Sequence, residues 1–171
     1  GDAGEGTRTD GPFLFLGTVV AHKGPDLVVR AWRQLPAGPG LRVHGSVVDG
    51  ALLLGHPAGG LLDRAGTRAA LDGARALVVG SRWHENAPLV VLEARARGCP
   101  VIAPRLGGLP ELIEPGVDGW LVPPDDVDAL AQAMAEALHT RLVPRPPPTA
   151  DQMIDRTEAV YRQVLAGRGL P

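Results

Sequence analysis

Short apolar runs recur along the chain, each stopped by glycine or proline. Phe13 to Leu16 is unbroken and ends at Gly17, Leu41 to His44 ends at Gly45, Leu77 to Val79 ends at Gly80, and Val101 to Ala103 lies between Pro100 and Pro104. Trp120 to Val122 is a fifth run and Leu52 to Leu54 a weaker sixth. Runs of this length without polar alternation predict strands buried on both faces. Between them the apolar positions change to helical spacing. After Pro25, Leu27, Val28, Ala31, Trp32 and Leu35 mark one helix, which Pro36 ends. Pro88 to Arg97 predicts a second, with Gly98 past its end. Gly59 to Arg75 predicts one or two short helices broken by Gly66 and Gly73. Asp125 or Asp126 precedes a helix carrying Val127, Leu130, Ala131, Met134 and Leu138. Four prolines between 144 and 148 form a connector, and a final helix is expected from about Asp151 to Leu165.

Strands that alternate with helices predict an α/β fold. Helices should cover both faces of a central parallel sheet of about six strands, a three-layer α/β/α arrangement. Three regions follow: 1–12 as a polar, Gly-rich linker, 13–143 as the domain, and 144–171 as connector and helix. In such sheets ligands bind at the carboxyl ends of the strands, near the switch in strand order. The loops after Leu16, His44, Val79 and Ala103 are therefore the places to look for chemistry.

Composition narrows the function classes. Of 171 residues, 44% are apolar, enough for one packed core, and no run is long enough to cross a membrane. A net charge of −2 gives no field for a polyanion, so nucleic acid is not an expected partner. One cysteine, Cys99, excludes an internal disulfide framework and reads as a small buried hydrophobe in a reducing compartment, hence a cytoplasmic location. The chain opens on Gly1 and carries Met only at 134 and 153, which reads as a piece of a longer protein or a chain without its start. Lys23 is the single lysine among 17 basic residues.

Three segments carry candidate chemistry. In Gly17-Thr-Val-Val-Ala-His-Lys-Gly24 a strand ends, one cation follows, and a helix starts at Pro25. A helix N-terminus beside an ammonium attracts anions, although a lysine in a surface turn is as common. The spacing is neither a Walker loop nor a dinucleotide fingerprint. In Ser81-Arg-Trp-His-Glu85-Asn-Ala-Pro-Leu-Val-Val-Leu-Glu93, Glu85 falls in the loop and Glu93 on the helix. The amides around Ala87 to Val90 would make a second anion site there. A diphosphate suits two such helix starts with a lysine, and sugar hydroxyls suit a carboxylate; a capping Glu93 and a solvated Glu85 remain the plainer reading. Gly107-Gly-Leu-Pro-Glu111 is a turn into a helix. The five histidines have no metal-ligand spacing, and neither Ser46 nor Ser81 has the setting of a nucleophile elbow.

Taken in order, these segments resemble the C-terminal, donor-binding domain of GT-B-fold glycosyltransferases of family 4 (glycosyl transferases group 1). The resemblance runs from about Phe13 to Leu138. It rests on Glu85-x7-Glu93, Gly98-x-Pro-Val-Ile-Ala103, Gly107-Gly-x-Pro-Glu111 and Gly116-x-x-Gly-x-Leu-Val-Pro-Pro124. It implies a Rossmann-like domain of a bacterial enzyme that moves a sugar from a nucleotide-sugar, UDP- or GDP-type, with retention, and without metal or cofactor. Lys23 and Glu85 would be catalytic, Lys23 neutralising the diphosphate and Glu85 facing the transferred sugar. Glu93 would hold the ribose, and Asn86, Ala87, Pro88 and Leu89 would offer the phosphates their backbone. Gly17, Thr18 and Arg82 would complete the donor site, with loop contacts from Gly45, Ser46, Gly107 and Gly108.

The resemblance also implies an N-terminal acceptor-binding domain that these residues do not encode. The chain alone is then expected to be inactive, and the longer protein to sit in the cytoplasm or on the inner membrane face. Departures from the pattern are Thr18, where the family carries Arg or Ser, and Asn86-Ala87-Pro88, where it carries Phe-Gly. A helix that normally follows the second strand is also missing. A nucleotide-sugar epimerase with the same donor half, or a binding or assembly module without chemistry, are the other readings.

Overall fold

The structure, a computed structural model, describes residues 11–36 and 38–167. Five strands, β1 (Phe13–Leu16), β2 (Leu41–His44), β3 (Ala76–Val78), β4 (Val101–Pro104) and β5 (Gly119–Val122), form one sheet in the order β2-β1-β3-β4-β5. All neighbours are parallel, with Phe13 beside Leu41 on one side and Ala76 on the other. The α/β class and its parallel sheet are as the apolar runs predict. Among the described residues five α-helices lie between or pack on the strands, α1 (Pro25–Arg33), α2 (Arg64–Asp72), α3 (Leu89–Ala96), α4 (Leu109–Leu112) and α5 (Val127–Glu136), and a sixth, α6 (Ala150–Leu165), follows them.

The strand period of two divides the core between the faces. Phe13 and Phe15 point to one face, where α1 and α5 bring Val28, Ala31, Leu130 and Met134. Leu14 points to the other, where Leu71 of α2, Val91 and Ala94 of α3 and Leu109 of α4 close over it. Cys99 belongs to this second cluster, fully buried, and burial pushes its thiol up to about 12, so it acts as a hydrophobe.

The sheet has five strands among the described residues, not about six. Leu52 to Leu54 is not a strand: Gly50–Leu53 is a 3-10 turn, because the Asp49 side chain accepts the Ala51 amide at 3.1 Å and bends the chain. This turn stands where the missing helix would be. The edge of β2 is covered instead by a returning segment, through Gly59 N–H to Val43 O (2.8 Å) and Gly45 N–H to Gly60 O (2.9 Å). Asp126, not Asp125, caps α5. The start of the proline-rich connector is held to the body, with Leu142 and Pro144 buried and the Arg145 amide on Asp118 at 2.8 Å. α6 follows, closed by a Thr149–Gln152 capping box and exposed along its length. The proposed linker lies outside the described residues up to residue 10. No helix among the described residues is long and apolar enough to cross a membrane.

Candidate functional site

From β1 the chain turns to one side to make β2, then crosses back to make β3 on the other side. The loops after β1 and β3 therefore diverge at the switch point, where a parallel sheet opens a crevice. Lys23 ends the first loop and Glu85 lies in the second, and the two form an ion pair. The backbone forces them together. Gly24 is left-handed (φ +61°), and a Cβ there would lie 1.9 Å from the Gly80 carbonyl oxygen, so only glycine lets the two loops touch. The pair is half-sheltered, with Lys23 35% and Glu85 16% exposed at the side chain.

Ser81 and Arg82 hold this loop, by different means. Ser81 is buried and its hydroxyl donates to Glu85 Oε1 at 3.1 Å, with His22 O and Trp83 O also in reach. The Arg82 guanidinium turns away from the crevice. It clasps both Asp26 oxygens at 2.8 Å and bonds Asp125 at 2.6 Å and Ala21 O at 2.9 Å. The bond from Arg82 holds the Asp26 carboxyl below the usual carboxylate range, and its own pKa is raised in return. Arg82 thus ties three loops together and has little capacity left for a ligand.

The two helix starts differ as well. The Asp26 carboxylate lies against the first amides of α1, its own and that of Leu27, so this N-terminus already carries an anion. At α3 the N-cap is Pro88, which supplies no side-chain cap. Among the described residues the amides of Asn86, Ala87, Leu89 and Val90 have no acceptor. This loop is backed by the Gly107–Gly108 turn, whose Gly108 amide donates to Glu85 O at 2.7 Å. A Cβ on Gly107 would meet Glu85 O at 2.5 Å, and one on Gly108 would meet Asn86 O at 2.0 Å. Four open amides, an ammonium and a carboxylate thus line one crevice.

Beside them lies a cavity of about 350 Å³. Leu16, Leu61, Leu62 and Val90 make its apolar walls, Gly17 and Gly45 its strand-end floor, and Glu93 reaches it from α3. Glu93 is exposed and has no ion-pair partner among the described residues. Thr18 and Ser46 line the same cavity, the Ser46 hydroxyl donating to Thr18 Oγ1 at 3.3 Å. A neighbouring cavity of about 440 Å³ between α2 and α3 shares Leu62, Thr67 and Glu93 with it. Among the described residues no group of three or more His, Cys, Asp or Glu could hold a metal ion.

The profile of the family described as "Glycosyl transferases group 1" matches residues 11–140. The chain belongs to this family. The D-inositol 3-phosphate glycosyltransferase of Mycolicibacterium paratuberculosis is 35% identical over 163 residues, 86% of this chain and 35% of that protein. Its counterpart from Saccharomonospora viridis is 33% identical over 147 residues, covering 71% and 33%. The chain spans about a third of the length of these curated relatives. Among solved structures, sucrose-phosphate synthase from Thermosynechococcus elongatus aligns with a TM-score of 0.67 at 26% identity over 94% of this chain and 47% of that one. Anabaena HepE in complex with UDP and glucose aligns at 0.64 and 24% identity, covering 75% and 39%, and shows the shared fold.

Within this glycosyl transferases group 1 domain, the structure gathers Lys23, Glu85, Asn86 and Ala87 at one crevice. Gly17, Thr18, Gly45, Ser46, Leu89 and Glu93 line the adjoining cavity. Gly107 and Gly108 act from behind, through Glu85 and Asn86. Two contributors escaped the sequence reading. Ser81 lacks the setting of a nucleophile elbow, yet it orients Glu85; its signal is position, three residues after β3 and four before the acid. His44 has no metal-ligand spacing, yet it ends β2 and lines the cavity.

Proposed function

We propose that this chain is the C-terminal, donor-binding domain of a family 4 glycosyltransferase with a GT-B fold, and that it binds a nucleoside diphosphate sugar across the switch point. One observation carries this reading. The only lysine stands against Glu85 beside four unused amides, and the loop that presents them runs directly into the cavity lined by Glu93. The diphosphate takes the amides of Asn86 to Val90 and the Lys23 ammonium, a fixed set of donors for oxyanions. The ribose hydroxyls take Glu93, a carboxylate with nothing else to accept. The transferred sugar faces Glu85, which Ser81 keeps in place when Lys23 turns to phosphate.

In transfer with retention, the bond from the anomeric carbon to the diphosphate breaks and negative charge grows on the leaving oxygen. The α3 amides are fixed in place for that charge and Lys23 turns to it from Glu85, so it meets donors that are largely set in advance. The anion is met by protein groups, which fits chemistry without a metal. Arg82 serves as a brace and not as a phosphate ligand. The acceptor and the remaining catalytic groups come from a second lobe outside these residues, so the chain by itself binds donor and transfers no sugar.

Calorimetry with UDP, GDP and ADP tests the reading. At least one should bind, and Lys23→Ala should weaken it by about 10- to 100-fold, the worth of a charge-assisted contact. The fold should persist, since the lysine is half-exposed. A silent panel, or one that Lys23→Ala leaves unchanged, rules the reading out.

A further inference from the structure

Glu85 Oε1 accepts from two side chains at once, the Lys23 ammonium and the Ser81 hydroxyl at 3.1 Å. The two donors are held differently. Ser81 is buried, and its Oγ also takes the Trp83 amide at 3.3 Å, so it fixes the carboxylate within its own loop. Lys23 sits on a flexible stem, is 35% exposed, and has Glu85 as its one ion-pair partner among the described residues. The pair therefore joins a fixed acid to a movable base. No second cation bonds Glu85 among the described residues, and Arg82 nearby is already held by Asp26, Asp125 and Ala21 O.

A diphosphate on the Asn86 to Val90 amides and the Glu85 carboxylate thus draw on the same ammonium. With a sugar attached, the exchange is matched. Lys23 passes to phosphate, and sugar hydroxyls donate to the carboxylate it leaves, whose Oε2 has no donor among the described residues. Without the sugar, a carboxylate only 16% exposed keeps Ser81 alone and loses its counter-charge for as long as Lys23 stays on phosphate. A sheltered charge without its partner is costly. We propose that the Lys23–Glu85 pair is a latch that selects the loaded donor over its own spent nucleotide: Glu85 withholds Lys23 from a nucleoside diphosphate and yields it to a nucleoside diphosphate sugar. After the sugar has left, Glu85 reclaims the lysine and loosens the spent nucleotide. The coupling is reciprocal, so hydroxyls on Glu85 strengthen the hold of Lys23 on phosphate as much as phosphate on Lys23 strengthens the hold of Glu85 on hydroxyls. The inference rests on the nucleotide reading above and adds how the site tells substrate from product.

Calorimetry on the 171-residue chain tests it, with UDP, GDP and ADP set against UDP-glucose, GDP-mannose and ADP-glucose. In the wild type one sugar nucleotide should bind about tenfold tighter than its bare nucleotide, although its phosphates carry less charge. Glu85→Gln keeps the shape and the acceptor for Ser81 and removes the charge. It should tighten the bare nucleotide about tenfold and leave the sugar nucleotide unchanged or weaker. A double-mutant cycle separates a latch from plain repulsion between two anions. In a Lys23→Ala background the gain from Glu85→Gln should shrink to about twofold, because no lysine is left to set free. If nothing binds, the donor-domain reading falls and this inference with it. If nucleotides bind but the wild type has no preference for a sugar nucleotide, or Glu85→Gln does not tighten the bare nucleotide, or the gain persists beside Lys23→Ala, only the latch falls. Thermal melting checks the fold of each variant. Should Glu85→Gln unfold, the wild-type ratios decide.

Discussion

At the amino-terminal rim of the sheet, Asp118 is 1% exposed, accepts from the amides of Glu114 (3.1 Å) and Arg145 (2.8 Å) and from the Arg145 guanidinium (3.3 Å), and forms an ion pair with Arg95 at 3.6 Å. At the carboxyl-terminal rim, Lys23 is 35% exposed, holds one carboxylate, and stands beside amides with no acceptor among the described residues. Both rims are built from an acid, a base and backbone N–H groups. Around Asp118 the carboxylate is saturated, which closes the start of β5 and fastens the connector; only Arg95 Nε is left over. Around Lys23 the donors outnumber the acceptors. A cluster whose bonds are complete serves the fold, whereas a cluster with spare, fixed donors serves something that is not part of the chain.

This contrast can be broken most directly at Asp118. Asp118→Ala should cost about 3 kcal/mol in urea unfolding, because Arg95 is left buried without its counter-charge. Nucleotide affinity of the folded fraction should not change. A cost under about 1 kcal/mol would mean that the saturated rim is ornamental. Gly24→Ala comes next, at about 2 kcal/mol by thermal unfolding, since a left-handed alanine would also strike Gly80 O. Unlike the first variant, it should lower nucleotide affinity as well, by moving Lys23 off Glu85. Equal affinity at reduced stability would separate the ion pair from the site.

Glu93→Gln sharpens the other side of the comparison. The side chain is exposed and has no ion-pair partner among the described residues, so stability should stay within about 0.5 kcal/mol while nucleotide binding falls about tenfold. The smallest effect concerns acid. Burial pushes the Asp118 carboxyl up, but the amides of Glu114 and Arg145 and the charge of Arg95 outweigh burial and hold it below its usual range. A carboxyl lowered in the folded state contributes stability above the unfolded value, near pH 4, and loses it as pH falls through the folded value. Melting temperature should therefore drop below about pH 4, and Asp118→Asn should flatten part of that slope. An unchanged slope would place the acid sensitivity elsewhere, with Asp26 the first candidate.

Much of the architecture was legible. The runs at 13–16 and 41–44 are strands with those bounds, and those at 77–79, 101–103 and 120–122 are strands displaced or lengthened by one residue. Proline and glycine mark element ends through local backbone sterics, which act within a few residues and so can be read in order. Leu52–Leu54 misled because three leucines read equally as strand or turn until the Asp49 side chain is seen to bend the chain. The site was legible as residue types and not as relations. Lys23 and Glu85 were separate candidates, 62 positions apart. Arg82 was expected in the donor site because nothing local shows that Asp26 and Asp125 would claim it. Ser81 and His44 carried no motif of their own.

The sequence by itself determined most of which stretches are strands, which are helices, and which loops leave strand ends with a lysine, an acid and glycines in them. These follow from side-chain period and from φ limits, both properties of neighbouring residues. Only the tertiary structure decided which of those groups are used up and which remain. Strand order brings the first and third loops to one crevice, Gly24 and Gly80 press them together, and the packing around them consumes Arg82 and the α1 amides while leaving Lys23 in reach of the open start of α3. A hydrogen bond between residues far apart in the chain is a fact of distance, and distance is set by how the sheet is wound.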